Sequence, residues 1–277
     1  MIQFDPTDIA AARQGSRAAL EAIVRAAERP IYNLAMRMLA NRADAEDATQ
    51  EILIKLVTHL GSLREIEAAA GWALRIACRH LAETRKRGRV EMMRLTFEGF
   101  AADLEVGLAP LADDALTDVE TALAIGEVKV GCTLAMLTCL TRDSRLAYLL
   151  GDVFEMTDTE AAEILEINPD AYRQRLRRAR ASVTTFVLAN CGITSSAAAC
   201  RCAHRLTAAV ANGRVQPGRS EFGVESLQGA DIVRLREHVS RLENGRRAAA
   251  LMRSNPDFHS SIGDLVMQLI DQEPPHR

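Results

Sequence analysis

Aromatic side chains are scarce in this chain, at 4% of 277 residues, and strands of alternating apolar and polar residues are hard to find. No apolar run approaches the roughly 18 residues that a membrane-spanning helix needs. The opening "MIQFDPTDIA" lacks the basic-then-apolar order of a signal peptide. These absences predict a soluble, cytoplasmic protein with no membrane partner. A glycine-rich phosphate loop, a catalytic triad and a carboxylate pair at useful spacing are also missing, so the sequence reads as a non-enzyme. Six cysteines are too few for a disulfide scaffold of this length, and in a reducing compartment they are thiols or metal ligands. What the chain has is helix: 48% of it is hydrophobic, and those residues recur every three or four positions. The expected fold class is all-α, with length enough for roughly two domains of about 100 to 200 residues each.

Charge is unevenly placed. The formal net charge is -3, yet "YRQRLRRARASV" puts five arginines within Arg173–Arg180. From Arg75 to Arg94 seven Lys or Arg stand against two Glu. A clustered basic patch matters more for a nucleic-acid partner than the total does.

The first periodic block runs from about Ser16 to Leu39, with Pro30 expected to break or kink it. Asp44 is expected to cap the next helix, which buries Ala45, Ala48, Ile52, Leu56 and Leu60 and turns Glu46, Asp47, Gln50 and Glu51 outward. A loop then leads to "GWALRIACRHLAETRKRGRV", helical and basic on its outer side. The segment from Leu95 to Val130 turns acidic and reads as a linker. Thr157 and Glu160 have capping-box spacing for the short helix "DTEAAEIL". Asn168 and Pro169 suit the N-cap and first position of the helix that carries the arginines. Short helix, turn and long basic helix make a helix-turn-helix. At 100° per residue Tyr172, Leu176, Ala179, Val183 and Val187 share the inward stripe, while Gln174, Arg177 and Arg178 point away. Arg173 and Arg180 flank the stripe on one side and Arg175 on the other, with Arg180 close enough to brace the fold.

Two motifs in order, "DAEDATQEILIKL" and "TDTEAAEILEINPDAYRQRLRRARASV", resemble those of the extracytoplasmic-function sigma factors, small two-domain initiation subunits of bacterial RNA polymerase. The resemblance implies a polymerase-docking and minus-ten domain over 1–94, the acidic linker over 95–130 and a minus-thirty-five helix-turn-helix domain over 131–188. It implies that Asp44, Glu46, Asp47, Gln50 and Glu51 dock on the β′ clamp of core RNA polymerase. Promoter DNA is then met by Trp72, Arg75, Arg79, His80, Arg85, Lys86 and Arg87 and by Arg173, Gln174, Arg175, Arg177 and Arg178. An anti-sigma factor is a further candidate partner. The acidic linker would run near the RNA exit path and mimic a transcript's charge. Trp72 has a second reading, as a core residue that fixes the start of its helix. Six positions depart from the family pattern: His80 replaces an asparagine, Ile52, Ile54 and Val57 replace bulky aromatics of the docking helix, Glu166 replaces the turn glycine and is expected without positive φ, and Tyr172 replaces a small β-branched residue.

Residues 189–277 form a C-terminal extension with its own chemistry. "CGITSSAAACRCAHRL" sets Cys191, Cys200, Cys202 and His204 at a spacing open to zinc, to thiol redox sensing or to plain packing, with His259 an alternative fourth ligand. Nothing in the sequence requires a cofactor. Cys78, Cys132 and Cys139 lie on apolar helical stretches and read as core. Two amphipathic helices near Asp231–Leu242 and Ser261–Ile270 must bury their faces on one another, on the sigma domains or on a partner. Two other functions stay open: a helix-turn-helix regulator that never joins polymerase, and a metal or redox sensor with degenerate sigma domains.

Overall fold

The computed structural model describes residues 2–84, 89–109, 119–216, 218–222 and 229–272. Among these the chain is all-α, with no strand and two isolated bridges. The helices are α1 (Pro6–Arg13), α2 (Arg17–Leu39), α3 (Arg42–Thr58), α4 (Ala69–Glu83), α5 (Arg89–Met92), α6 (Phe97–Val106) and α7 (Val119–Thr138). There follow α8 (Arg142–Tyr148), α9 (Asp158–Ile164), α10 (Pro169–Asn190), α11 (Leu206–Ala211), α12 (Gly229–Ser240), α13 (Asn244–Arg253) and α14 (Ile262–Gln272). The chain packs as two units: residues 1–89, 149–174 and 258–277 form the first, and residues 90–148 with 175–257 form the second.

In the first unit α2 and α3 pack along each other. Ser16 caps α2 by accepting from the Ala19 N–H. Pro30 lies inside this helix, which runs uninterrupted from Arg17 to Leu39, so of the expected break or kink the break does not occur. Ile23, Val24 and Ala27 before it and Ile31, Leu34 and Met38 after it are all buried. Burial on both sides outweighs the roughly 3 kcal/mol that an interior proline costs. The cap of α3 is Asn41, not Asp44: the Asn41 side chain accepts the Asp44 N–H at 3.0 Å. Asp44 sits in the first turn, where the helix dipole favours an acid, and its carboxylate accepts the Arg89 N–H at 2.6 Å. Trp72 packs at the edge of an apolar cluster of Ile9, Ile23, Leu60, Leu63 and Ala69, as the core reading expects.

The end of the tail belongs to this first unit. Asn33 of α2 donates to the Phe258 carbonyl at 2.9 Å and accepts the Phe258 N–H at 3.0 Å. The Arg37 guanidinium lies 5.0 Å from the Phe258 ring centroid. Ser260 donates to Glu28 at 2.8 Å, and Arg17 makes a two-pronged ion pair with Asp271 at 2.9 and 2.6 Å. Val266 and Met267 of α14 are buried, where the helix packs on α2 and α3.

Within the second unit the described parts of the acidic segment are largely helical. Residues 97–106 are α6, and α7 starts at Val119, well inside the acidic segment. Phe97 and Phe100 of α6 pack on Phe186 of α10, with centroids 5.2 and 5.4 Å apart. Two of the segment's acids hold the tail. Asp103 takes Arg214 in two contacts of 2.7 and 2.9 Å and Arg205 at 2.9 Å. Glu127 is buried and accepts from the Ser220 hydroxyl at 2.7 Å and from the Glu221 and Phe222 amides. α7 is also long and apolar enough to cross a membrane by length and composition. Two thirds of its apolar window is buried, with α11 and α12 packed on it, so within this fold it is a core helix. At the end of α7, buried Arg145 donates to the carbonyls of Leu137, Thr138 and Leu140 and pairs with Glu91 at 3.0 Å.

Candidate nucleic-acid interface

The helix-turn-helix forms from local signals. Thr157 accepts the Glu160 N–H, and the Glu160 carboxylate accepts the Thr157 N–H at 2.9 Å, a complete capping box at the start of α9. The helix ends in a Schellman turn: the Ile167 N–H reaches the Ala162 carbonyl and the Glu166 N–H reaches the Glu163 carbonyl. Glu166 takes the left-handed position, φ +54, against the sequence expectation. The two closing hydrogen bonds and the next helix's cap hold it there in place of a glycine. Asn168 accepts the Asp170 N–H at 2.8 Å and Pro169 opens α10, as the sequence foretells.

Along α10 the stripe of Tyr172, Leu176, Ala179, Val183 and Val187 is buried throughout, joined by Phe186. The opposite side exposes Arg173, Gln174, Arg177, Arg178 and Arg180, so Arg180 projects outward despite its place beside the stripe. These side chains differ in what they touch. Arg173 pairs with Asp170 and reaches Asp158 at 4.0 Å, and half-buried Arg175 lies 3.4 Å from Asp143. Arg177 and Arg178 meet no carboxylate among the described residues. A helix with two unengaged, solvent-facing arginines beside a glutamine can enter a major groove, where such groups bind base edges or phosphates.

The basic side of α4 is placed differently. Arg79 is exposed but bound to Glu166, the residue in the α9 turn. That neighbour raises the Arg79 pKa through its hydrogen bond and its charge. His80, predicted to face DNA, is turned inward instead. Lys55 donates to its Nδ1 at 2.7 Å, and its Nε2 lies 3.7 Å from Glu51. His80 follows buried Ala73 and Ala77 at helical spacing, so the stripe carries it between α3 and α4. Trp72 and Arg75 are half-buried. Arg85, Lys86 and Arg87 lie outside the described residues. On α3, Asp47 and Glu51 are exposed, Glu46 is half-buried and paired with Arg42 at 2.9 Å, and Gln50 and Asp44 are half-buried.

The tail cysteines form a second cluster of chemical interest. Burial pushes Cys202 up to about 12 and Cys200 to about 11, and it raises Cys191 and Cys132 as well. Cys202 packs against the apolar cluster that holds Val128 of α7, one turn before Cys132. His204 contributes its main-chain carbonyl to the Ala109 N–H, and His259 belongs to the first unit. Among the described residues no three His, Cys, Asp or Glu side chains are placed to hold a metal ion, so the set of Cys191, Cys200, Cys202 and His204 open to zinc from sequence is not assembled as one. Sequence carried no sign of the Arg79–Glu166, Asn33–Phe258 or Asp103–Arg214 contacts, because each joins segments dozens of residues apart.

This geometry defines an all-helical protein with an exposed acidic helix edge and a helix-turn-helix. Residues 23–90 match the family model of sigma-70 region 2, and residues 131–183 match that of sigma-70 region 4. A probable RNA polymerase sigma factor, RfaY of Xanthomonas campestris pv. campestris, is 29% identical over 177 residues, 64% of this chain. The match covers 42% of that relative's length, less than half of it. The chain thus carries two sigma-70 regions in order, region 2 before region 4, and is similar over part of its length to an RNA polymerase sigma factor.

Proposed function

We propose that the chain is a promoter-specificity subunit that works in the cytoplasm. It binds core RNA polymerase through the acidic edge of α3 and directs initiation by holding promoter DNA with α10. The observation that carries this reading is the exposed Arg177–Arg178 pair on the second helix of a capped helix-turn-helix. Asp47 and Glu51, exposed on α3, are the docking charges. The minus-ten contacts fall to Arg75, Arg79 and the basic residues after α4, and Arg79 must leave Glu166 to meet a phosphate.

Core polymerase with the full chain should start transcripts at a cognate promoter in a run-off assay. The Asp47→Lys, Glu51→Lys double variant should lose that start and still retain DNA in a gel shift. Normal transcription from the double variant overturns the docking assignment. A chain that binds DNA yet never co-purifies with polymerase is a regulator of another kind.

The tail is read as a regulator of the docking domain. Support comes from the Asn33–Phe258 exchange and the Arg17–Asp271 pair, which bind α14 and the residues before it to α2. Truncation before Phe258 should change transcript yield at saturating DNA, and an unchanged yield removes this role.

A further inference from the structure

The turn that ends α9 reaches back to α4. Glu166 sits in that turn at φ +54, a conformation that glycine adopts without strain, yet a glycine there has no carboxylate with which to hold Arg79. The contact is more than one ion pair, because α9 packs on α4 within the first unit. Ala161, Ala162 and Ile164 of α9 are buried, as are Ala73, Ala77 and Leu81 of α4.

A second fastening lies below the surface. The guanidinium of buried Arg37, on α2, is 5.9 Å from the ring centroid of Phe154 and 5.0 Å from that of Phe258. Phe154 stands just ahead of α9, where its N–H donates to the Leu149 carbonyl at 2.8 Å. Arg37 is itself positioned: it donates to the Asn33 carbonyl at 3.2 Å and to the Asn33 side-chain oxygen at 2.8 Å, and Asn33 exchanges two hydrogen bonds with Phe258. A cation held near aromatic rings away from water is bound more strongly than one in solvent. One side chain thereby joins α2, the entry to the helix-turn-helix and the tail.

On the promoter reading α4 serves the minus-ten element, and α9 with α10 serves the minus-thirty-five element. Those elements lie about 25 base pairs apart, about 85 Å of duplex at about 3.4 Å per pair. Packed helices have axes only about 10 Å apart. A chain with α9 on α4 therefore cannot hold both elements at once. We propose that this packing is an autoinhibitory contact, latched outside by Arg79 with Glu166 and inside by Arg37 with Phe154, and that core polymerase opens it. The closed chain keeps Arg79 from a minus-ten strand, while Arg177 and Arg178 stay exposed on α10. Phe258 ties the inner latch to the tail. The inference rests on the promoter reading and adds to it a closed state with named fastenings.

In the full chain, click-reactive amino acids at Glu83 of α4 and Glu163 of α9, both exposed, carry a donor and an acceptor dye. Energy transfer should be high in the free chain and fall when core polymerase is added. Phe154→Ala should lower transfer without polymerase and tighten binding of a minus-ten single strand by about tenfold, the gain expected when about a tenth of the parent is open. Its affinity for a minus-thirty-five duplex should not change. Glu166→Gln, a surface change, should lower transfer and tighten strand binding in the same direction and by less. The proposal is overturned by low transfer in the free chain, by variants that leave transfer unchanged, or by transfer that stays high while polymerase starts transcripts. Variants that open and still initiate, with no gain in strand affinity, overturn the inhibition alone. A chain that binds neither polymerase nor promoter strand in any form overturns the promoter reading and the inhibition together.

Discussion

On α4, Arg79 is held by Glu166 and His80 lies beneath the surface between Lys55 and Glu51. On α10, Arg177 and Arg178 stand in solvent with no carboxylate partner among the described residues, while Arg173 and Arg175 are tied to acids. The two helices read alike in sequence, as basic faces opposite apolar stripes. Their difference shows that a basic run measures charge, and that availability for DNA depends on which acids the fold brings to it.

The contrast is broken or sharpened most strongly by substitution on α10. Arg177→Ala with Arg178→Ala should weaken binding to a minus-thirty-five fragment by about two orders of magnitude, since each base-reading arginine is worth about 1–3 kcal/mol. Arg79→Ala should cost less than about fivefold in the same anisotropy assay, because it gives up only an exposed ion pair. Equal losses from the two would erase the distinction. If the α10 arginines hold phosphates instead, the loss will be uniform across sequences and the salt slope will fall by about 0.9 per contact.

Acid stability comes next in size. Within the second unit, burial tends to raise the Glu91 pKa, but the hydrogen bond and charge of Arg142 and the charge of Arg145 outweigh it and hold the carboxyl below its usual range. Asp103 is held low chiefly by its hydrogen bond to Arg214. A lowered folded-state pKa gives stability that is complete above the unfolded value, about 4, and is lost as pH falls through the folded one. The melting temperature should therefore drop on acidification below about pH 4, and Asp103→Asn should flatten that limb. A variant with the same acid limb as the parent would remove Asp103 from the account.

His80→Asn restores the family's usual residue on α4. It should lower stability by about 1 kcal/mol through the lost Lys55 contact, measured by urea unfolding, and leave promoter affinity unchanged. A shift in promoter choice would return His80 to the DNA face. The smallest effect is expected from Glu166→Gly, which relieves a positive φ worth about 1 kcal/mol and gives up an exposed ion pair of similar size or less. Net stability should hardly move, whereas Arg79, now unengaged, should bind a minus-ten single strand more tightly. Unchanged strand affinity would mean that Glu166 does not restrain it.

Local chemistry made much of this fold legible. The capping box at Thr157, the Asn168–Pro169 start and the buried stripe from Tyr172 to Val187 all depend on residues within a few turns, so spacing alone disclosed them. A break at Pro30, the cap at Asp44 and the φ of Glu166 misled, because burial of α2, a better-placed Asn41 and two turn-closing hydrogen bonds decided those positions. The acidic segment's net charge gave no hint of partners within the chain, yet Asp103 and Glu127 are ligands for the tail's arginines, hydroxyl and amides.

By itself, then, the sequence determined the helices, the helix-turn-helix and the two sigma-70 regions, because caps, periodicity and turn residues act over distances the chain fixes locally. Only tertiary structure decided which arginines are engaged, where α14 binds and which of the acidic segment's carboxylates hold the tail. Those outcomes depend on which distant side chains share a desolvated space, and spacing along a chain does not carry that information.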